Sequence, residues 1–317
     1  MTAPSTMLGF VEDYLAMRRA LGFLLRVEGE ELVRFARFAD GAGHAGPVTT
    51  ALALRWATLP KGCNRRYWAR RLDLVRRFAQ YRVLFDTATE VPPHGLLGPS
   101  YHRIEPPILT TEQLGALMRA AASMPTRWTL RPWTYVTLLG LLATTGLRIS
   151  EALHLELGDV DLGTGVLTVR ESKFHGTRLV PVHPSTLVAL RNYAVRRDAR
   201  HPHPKSDTFF LSEHGTSLKD CKVRETFATL RQVVSKPVGL GRRPLHIHDL
   251  RHYFAVTRLL RWYEEGCEIG NKIAALSTYL GHVKVTDTYW YLTACPALLA
   301  VTAERFEQYV LEPEVAR

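Results

Sequence analysis

Six polar residues scattered over the second half of this chain have the types that phosphorus chemistry needs: Arg148, Lys173, His248, Arg251, His282 and Tyr291. No two neighbours in the set have the spacing of a metal-ligand pair or a nucleotide-binding loop. As a set they supply a nucleophile, a proton donor, a proton acceptor and two fixed cations. That is equipment for attacking a phosphodiester. Without a metal, such chemistry requires positive charge held where negative charge develops, and a nucleophile that can be trapped covalently.

Each residue sits in a short, recognisable block. Thr144-Thr145-Gly146-Leu147-Arg148-Ile149-Ser150-Glu151 places an arginine directly after a helix break, with Glu151 one turn on and on the same face. A buried Arg148 and Glu151 could simply brace one another. In His248-Asp249-Leu250-Arg251-His252, His248 and Arg251 share a helix face at i and i+3. Leu280-Gly281-His282 is followed nine residues later by Tyr291. Tyr289 competes with Tyr291, but positions two apart on a helix point about 200° away from each other, so both cannot face the arginines. The histidine pairs His246/His248 and His201/His203 lack carboxylate or cysteine companions at metal-site spacing, so no metal site is expected.

The elements that must position these residues are mainly helical. From Met7 to about Leu84 apolar residues such as Phe10, Tyr14, Leu21, Leu32, Phe35 and Phe38 recur at three- to four-residue intervals, predicting about four helices. Within it, Lys61 to Arg82 holds eight basic residues against one acid, Asp73. Its apolar residues fall at helical spacing, so one face packs while Arg65, Arg66, Arg70, Arg71, Arg76 and Arg77 are candidates for phosphate contact. Pro92, Pro93, Gly95, Gly98, Pro99, Pro106 and Pro107 cannot sustain a helix or central strand, and they mark a linker. The expected division is a helical domain over 1–88, a linker over 89–108 and a second domain over 109–317.

That second domain opens with Thr111 as the expected N-cap of a helix reaching Ala122, and an apolar helix follows from Pro132 to Thr145. Val166–Val169 and Arg178–Val182 predict a small antiparallel hairpin across Gly176. Helices are then expected over Ser185–Arg197, Lys219–Val234, His248–Tyr263, Ile269–Leu280 and Pro296–Val310. The fold class is mainly α with a small antiparallel β element.

A net charge of +11 and a pI near 9.7 point to a polyanionic partner, because lysine and arginine on phosphates release condensed counterions. Nucleic acid fits better than a membrane, since no apolar run reaches the roughly 20 residues of a spanning helix and no signal peptide opens the chain. A cytoplasmic, nucleoid-associated protein is expected. Cys63, Cys221, Cys267 and Cys295 are widely spaced and predict neither disulfides nor a zinc knuckle.

Four blocks in register, T-G-L-R-I-S-E, a hairpin lysine eight residues before Pro181, H-D-L-R-H, and L-G-H with a tyrosine nine positions after the histidine, resemble the tyrosine recombinase family of phage-integrase type. The resemblance covers about Leu109 to Val310, and more loosely the first domain, which is similar to the family's helical, SAM-like core-binding domain. It implies a two-domain, C-shaped clamp on double-stranded DNA at specific sites. It implies a homotetramer that exchanges C-terminal helices, and strand exchange through a 3′-phosphotyrosyl intermediate without metal, nucleotide or other cofactor.

Carried over position by position, the resemblance makes Tyr291 the nucleophile and puts Arg148 and Arg251 on the non-bridging oxygens. Lys173 becomes the general acid, His248 the residue assisting tyrosine deprotonation, and His282 a donor to the phosphoryl group. Glu151 orients Arg148 or His248. The final block, Thr286 to Leu292, is similar to recombinases of transposons and other mobile elements, implying integration, excision or transposition. Two alternatives remain at this level: a type IB topoisomerase that relaxes DNA as a monomer, and a DNA-binding relative without catalysis.

Overall fold

In a computed structural model, the chain divides into two compact units, Met1–Ile104 and Glu105–Arg317. The structure describes residues 6–101, 107–125, 130–170, 176–234, 243–294 and Ala303. Among the described residues no helix is long and apolar enough to cross a membrane.

The first unit is built from α1 (Met7–Ala20), α2 (Arg26–Gly41), α3 (Thr50–Ala57) and α4 (Arg65–Arg82). Three of these start on a side chain that accepts from an otherwise unpaired backbone N–H: Thr6 from Gly9, Thr49 from Leu52 and Asn64 from Arg66. The Asp40 carboxylate reaches back from α2 to accept from the N–H groups of Met7 and Leu8, at 2.8 and 3.0 Å. Apolar faces then meet around Phe35, whose ring lies 5.4 Å from Trp56 and 6.4 Å from Phe78, both in edge contact.

The proline-rich stretch expected as a linker over 89–108 is fastened to this unit along its first half. Glu90 accepts from Thr50 N–H, Arg65 and Arg76 donate to the carbonyls of Leu97 and Pro92, and Val91 and Leu97 pack on the helical core.

In the second unit, α5 (Thr111–Ala122) and α6 (Leu130–Thr145) precede a short α7 (Ile149–Leu153). The N-cap of α5 is Thr110 rather than the expected Thr111. Thr110 Oγ1 accepts from Gln113 N–H while the Gln113 side chain accepts from Thr110 N–H, a reciprocal pair that only this residue can form with its third successor. A three-stranded antiparallel sheet follows, in the order β1 (Val160–Asp161), β2 (Val166–Val169), β3 (Arg178–Pro181), with Leu167 opposite both Val160 and Val180. The expected hairpin is therefore present with one further strand, too short to show a period of its own.

After α8 (Pro184–Arg200), the helix expected over Lys219–Val234 is α9 (Asp220–Leu230), finished by a tight 3-10 turn at Arg231–Val233. Then come α10 (Asp249–Glu264), α11 (Ile269–Leu280) and α12 (Thr286–Ala294). The apolar α6 is the centre of the unit and packs on α5, α8 and α10. A smaller apolar cluster joins α10 and α11 through Phe254, Leu259, Ile273, Leu276 and Leu280, and it takes in the ring of Tyr291. Of the helix expected over Pro296–Val310, Ala303 alone is among the described residues, and it is helical; the rest lies outside them.

Candidate active site

Two glycines bring the site together. Gly146 ends α6 at φ +64°, where a Cβ would meet Phe254 at 2.6 Å and Leu280 at 2.8 Å. Gly281 ends α11 at φ +68°, where a Cβ would lie 2.9 Å from the guanidinium of Arg178. Both need the left-handed backbone and the missing side chain. Their carbonyls, together with that of Leu280, become the acceptors that orient the arginines.

Arg251 donates from Nη1 to Gly146 at 2.7 Å and from Nη2 to Leu280 at 2.8 Å. Arg148 donates from Nη2 to Gly281 at 3.0 Å. A guanidinium held by two backbone oxygens cannot rotate freely, so its remaining N–H groups are aimed in advance. Arg251 is only 2% exposed; burial, then the charge of Arg148, push its pKa down to about 10, which leaves it protonated at neutral pH.

Glu151 underlies this arrangement. Its carboxylate accepts from Arg148 N–H at 2.9 Å and from Arg148 Nη1 at 2.7 Å, and takes both terminal nitrogens of Arg178 at 3.0 and 2.8 Å. Burial is the largest influence on this carboxyl and works to raise its pKa. The hydrogen bond and charge of Arg178, followed by those of Arg148, outweigh it and hold Glu151 below the ordinary glutamate value. Arg148 and Arg178 pair with Glu151, and Arg251 adds a third guanidinium anchored on the neighbouring Leu280 carbonyl, a concentration of positive charge suited to a phosphodiester.

Arg178 belongs to this cluster, although its sequence context predicts no more than the start of a strand. The signal lies in the alternation: Arg178 shares its face with the buried Val180, while Leu179 on the other face is 66% exposed. An arginine on the inward face of a strand calls for a buried anion, and Glu151 is that anion.

Tyr291 arrives on α12. Its side chain is buried, 3% exposed, against 48% for Tyr289, so the helix turns one tyrosine into the unit and the other to solvent. The ring stacks on His282 at 6.4 Å with planes 17° apart. His282 is held through Nδ1 by Thr288 Oγ1 at 2.7 Å, a contact one turn before the tyrosine that ties the loop after Gly281 to α12. The Tyr291 hydroxyl lies 3.2 Å from Nδ1 of His252, the last residue of the H-D-L-R-H block and one to which its sequence position assigns no part.

His248 sits at the start of α10, its ring 4.9 Å from that of His252. Burial, then Arg251, depress its pKa to about 4, so it is neutral at neutral pH. Lys173 lies outside the described residues.

The six arginines expected to meet DNA separate in the structure. Arg71 is turned inward: its guanidinium lies 3.8 Å over Trp56, donates to the Trp56 carbonyl at 3.1 Å and sits 3.7 Å from Glu31. That is a correction, because a side chain stacked and hydrogen-bonded in a core is not presented to phosphate. Arg65 and Arg76 hold the carbonyls of Leu97 and Pro92. Arg66, Arg70 and Arg77 are exposed, Arg70 lying 3.7 Å from Glu28.

Residues 107–296, a span that holds Arg148, His248, Arg251, His282 and Tyr291 alike, match the Phage integrase family. The chain belongs to the phage integrase family. A Sinorhizobium fredii protein described as an integrase/recombinase, y4rB, is 43% identical over 313 residues, covering 96% of this chain and 98% of that protein. Among solved structures, the Tn1549 transposon integrase in complex with a circular intermediate DNA aligns at TM-score 0.68 and 17% identity, covering 95% of this chain and 100% of that one. A lambda integrase tetramer bound to a Holliday junction aligns at TM-score 0.59 and 17% identity, over 90% and 77% of the two chains. At these identities the structural matches show the phage-integrase fold, and the family assignment rests on the sequence.

Proposed function

We propose that this phage-integrase family member is a site-specific DNA recombinase that cuts and rejoins duplex DNA through a tyrosine–phosphate ester. One observation carries the reading: Arg148 and Arg251 both fasten to the turn at Leu280–His282, and the ring of Tyr291 stacks on that turn's histidine. Tyr291 attacks phosphorus, the 3′ end of the strand becomes ester-linked to the phenolic oxygen, and the 5′-oxygen leaves with a proton supplied by Lys173. Arg148 and Arg251 hold the non-bridging oxygens as charge builds on them, and His282 donates to the same group. Glu151 and Arg178 position Arg148. Because one phosphoester replaces another, religation needs no external energy source.

The relative described as an integrase/recombinase and the transposon integrase support a role in moving a mobile element. The lambda integrase tetramer on a Holliday junction supports assembly as four protomers on DNA. Such an enzyme works in the cytoplasm on nucleoid DNA. The test is to incubate the purified protein with fragmented host and element DNA, denature it, and sequence what stays covalently attached. Recombinase activity gives one recurring site or family of sites; DNA recovered without sequence preference would instead indicate a relaxing enzyme, and no DNA would remove the reading.

A further inference from the structure

The Tyr291 hydroxyl, buried on α12, has a base beside it that the sequence does not single out. His252 presents Nδ1 to that hydroxyl at 3.2 Å, while its Nε2 lies 3.9 Å from Oδ1 of Asp249 one turn earlier on α10. Asp249 is fully buried in a built socket. Both of its oxygens take the guanidinium of Arg243, at 2.6 and 2.7 Å, and Oδ2 also accepts from His246 N–H at 2.7 Å. The His252 ring is held edge-on between His248 at 4.9 Å and Trp290 at 5.6 Å. Tyrosine hydroxyl, imidazole, buried carboxylate and guanidinium thus stand in a row from α12 across the start of α10.

We propose that His252 is the catalytic residue that takes the proton from Tyr291 as the tyrosine attacks DNA, with Asp249 and Arg243 as the positioning residues behind it. This rests on the recombinase reading above. In the forward step the O–H bond of Tyr291 breaks and its proton passes to Nδ1 of His252. The phenolic oxygen bonds to phosphorus, the bond from phosphorus to the 5′-oxygen breaks, and that oxygen leaves with the proton from the general acid. In religation the 5′-hydroxyl attacks, and His252 returns the proton to the departing phenolic oxygen. The positive charge that His252 carries between the two steps faces the Asp249 carboxylate, which compensates it. His248, the residue first expected in this role, is a poorer acceptor, because burial and Arg251 disfavour a charged ring there.

The test uses the full-length protein and a nicked duplex carrying a site recovered by covalent trapping. His252→Ala and His252→Gln are expected to form the covalent complex about 100-fold more slowly, with binding of the same duplex unchanged, in line with the usual contribution of a general base. Added imidazole is expected to restore His252→Gly at least tenfold and to leave Tyr291→Phe inert. On a duplex whose scissile 5′-oxygen is replaced by sulfur, a leaving group that needs no proton, the His252 variants are expected to stay slow while Lys173→Ala recovers. Cleavage at the unaltered rate by His252→Ala, or recovery of the His252 variants on the sulfur substrate, would overturn the assignment and leave the recombinase reading standing. Failure of the unaltered protein to form any adduct would overturn both.

Discussion

The arginines of α4 and the arginines around Tyr291 present opposite cases. On α4 they are close in sequence and dispersed in use: Arg71 enters the core, Arg65 and Arg76 tie down the segment after the helix, and Arg66, Arg70 and Arg77 remain exposed. Arg148, Arg178 and Arg251 are up to 103 positions apart in sequence, yet all three are anchored on one short stretch, Tyr279–Gly281, through carbonyl oxygens. A charge run reports the field that a surface can exert, and says little about any one side chain. Convergence of distant charges on one turn is costly to arrange, because each must be desolvated and matched, and it marks the place where a charged group is to be handled.

The largest effect that separates the two regions is expected at the tyrosine. Tyr291→Phe should abolish covalent DNA capture on a nicked substrate, while Tyr289→Phe, altering an exposed ring, should retain it. The reverse pattern would move the nucleophile out of the cluster. Next comes Arg251→Lys, which keeps the charge but cannot hold the carbonyls of Gly146 and Leu280 with a planar fork. Its cleavage rate should fall about 100- to 1,000-fold, the range for losing one aimed donor to a developing anion. Arg66→Lys on α4 should leave single-turnover cleavage within about twofold, since the Arg66 side chain is exposed and lysine keeps its charge.

Glu151 tests the cost of convergence. Glu151→Ala leaves the guanidiniums of Arg148 and Arg178 facing one another without their anion, and breaking a buried pair in this way typically destabilises by about 3–5 kcal/mol, measurable by urea unfolding. The same carboxyl has a pH signature. Because its folded pKa lies below the ordinary value of 4.5, the stability it contributes is fully present above that value and is lost as pH falls from there through the folded pKa. Glu151→Gln should flatten the acid limb of the unfolding curve in that window.

The smallest effects sharpen the picture of α4. Arg71→Ala should lower stability by about 1–2 kcal/mol through the lost stacking and hydrogen bond, with the salt dependence of DNA binding unchanged. Arg66→Ala and Arg77→Ala should do the opposite, each reducing the slope of log affinity against log salt by about 0.9 without moving the unfolding midpoint. Equal salt slopes for all three variants would erase the distinction between inward and exposed arginines.

Most of the fold and the core of the site are legible in the residue pattern, and the exceptions share a cause. Helix positions follow from apolar periodicity, and Gly146 and Gly281 announce the breaks beside Arg148 and His282. Periodicity is a local property, so it can place Arg178 on β3 but cannot show that the inward face of that strand meets Glu151. Likewise the block around Arg251 locates His252 without revealing that α12 delivers a hydroxyl to its ring. β1, two residues long, has no pattern to read. Thr110 and Thr111 are chemically the same cap, and only the return bond from Gln113 distinguishes them. Arg71 defies expectation because a helix's charged residues are normally solvated, and nothing in the run itself discloses that Trp56 on α3 offers a ring face to one of them.

The most direct test of the buried Tyr291 as the nucleophile is to digest the covalent protein–DNA adduct with protease and nuclease and identify the modified peptide by mass spectrometry. A nucleotide attached through its 3′-phosphate to Tyr291 is the expected result; attachment to Tyr289, to a serine, or through a 5′-phosphate would contradict it.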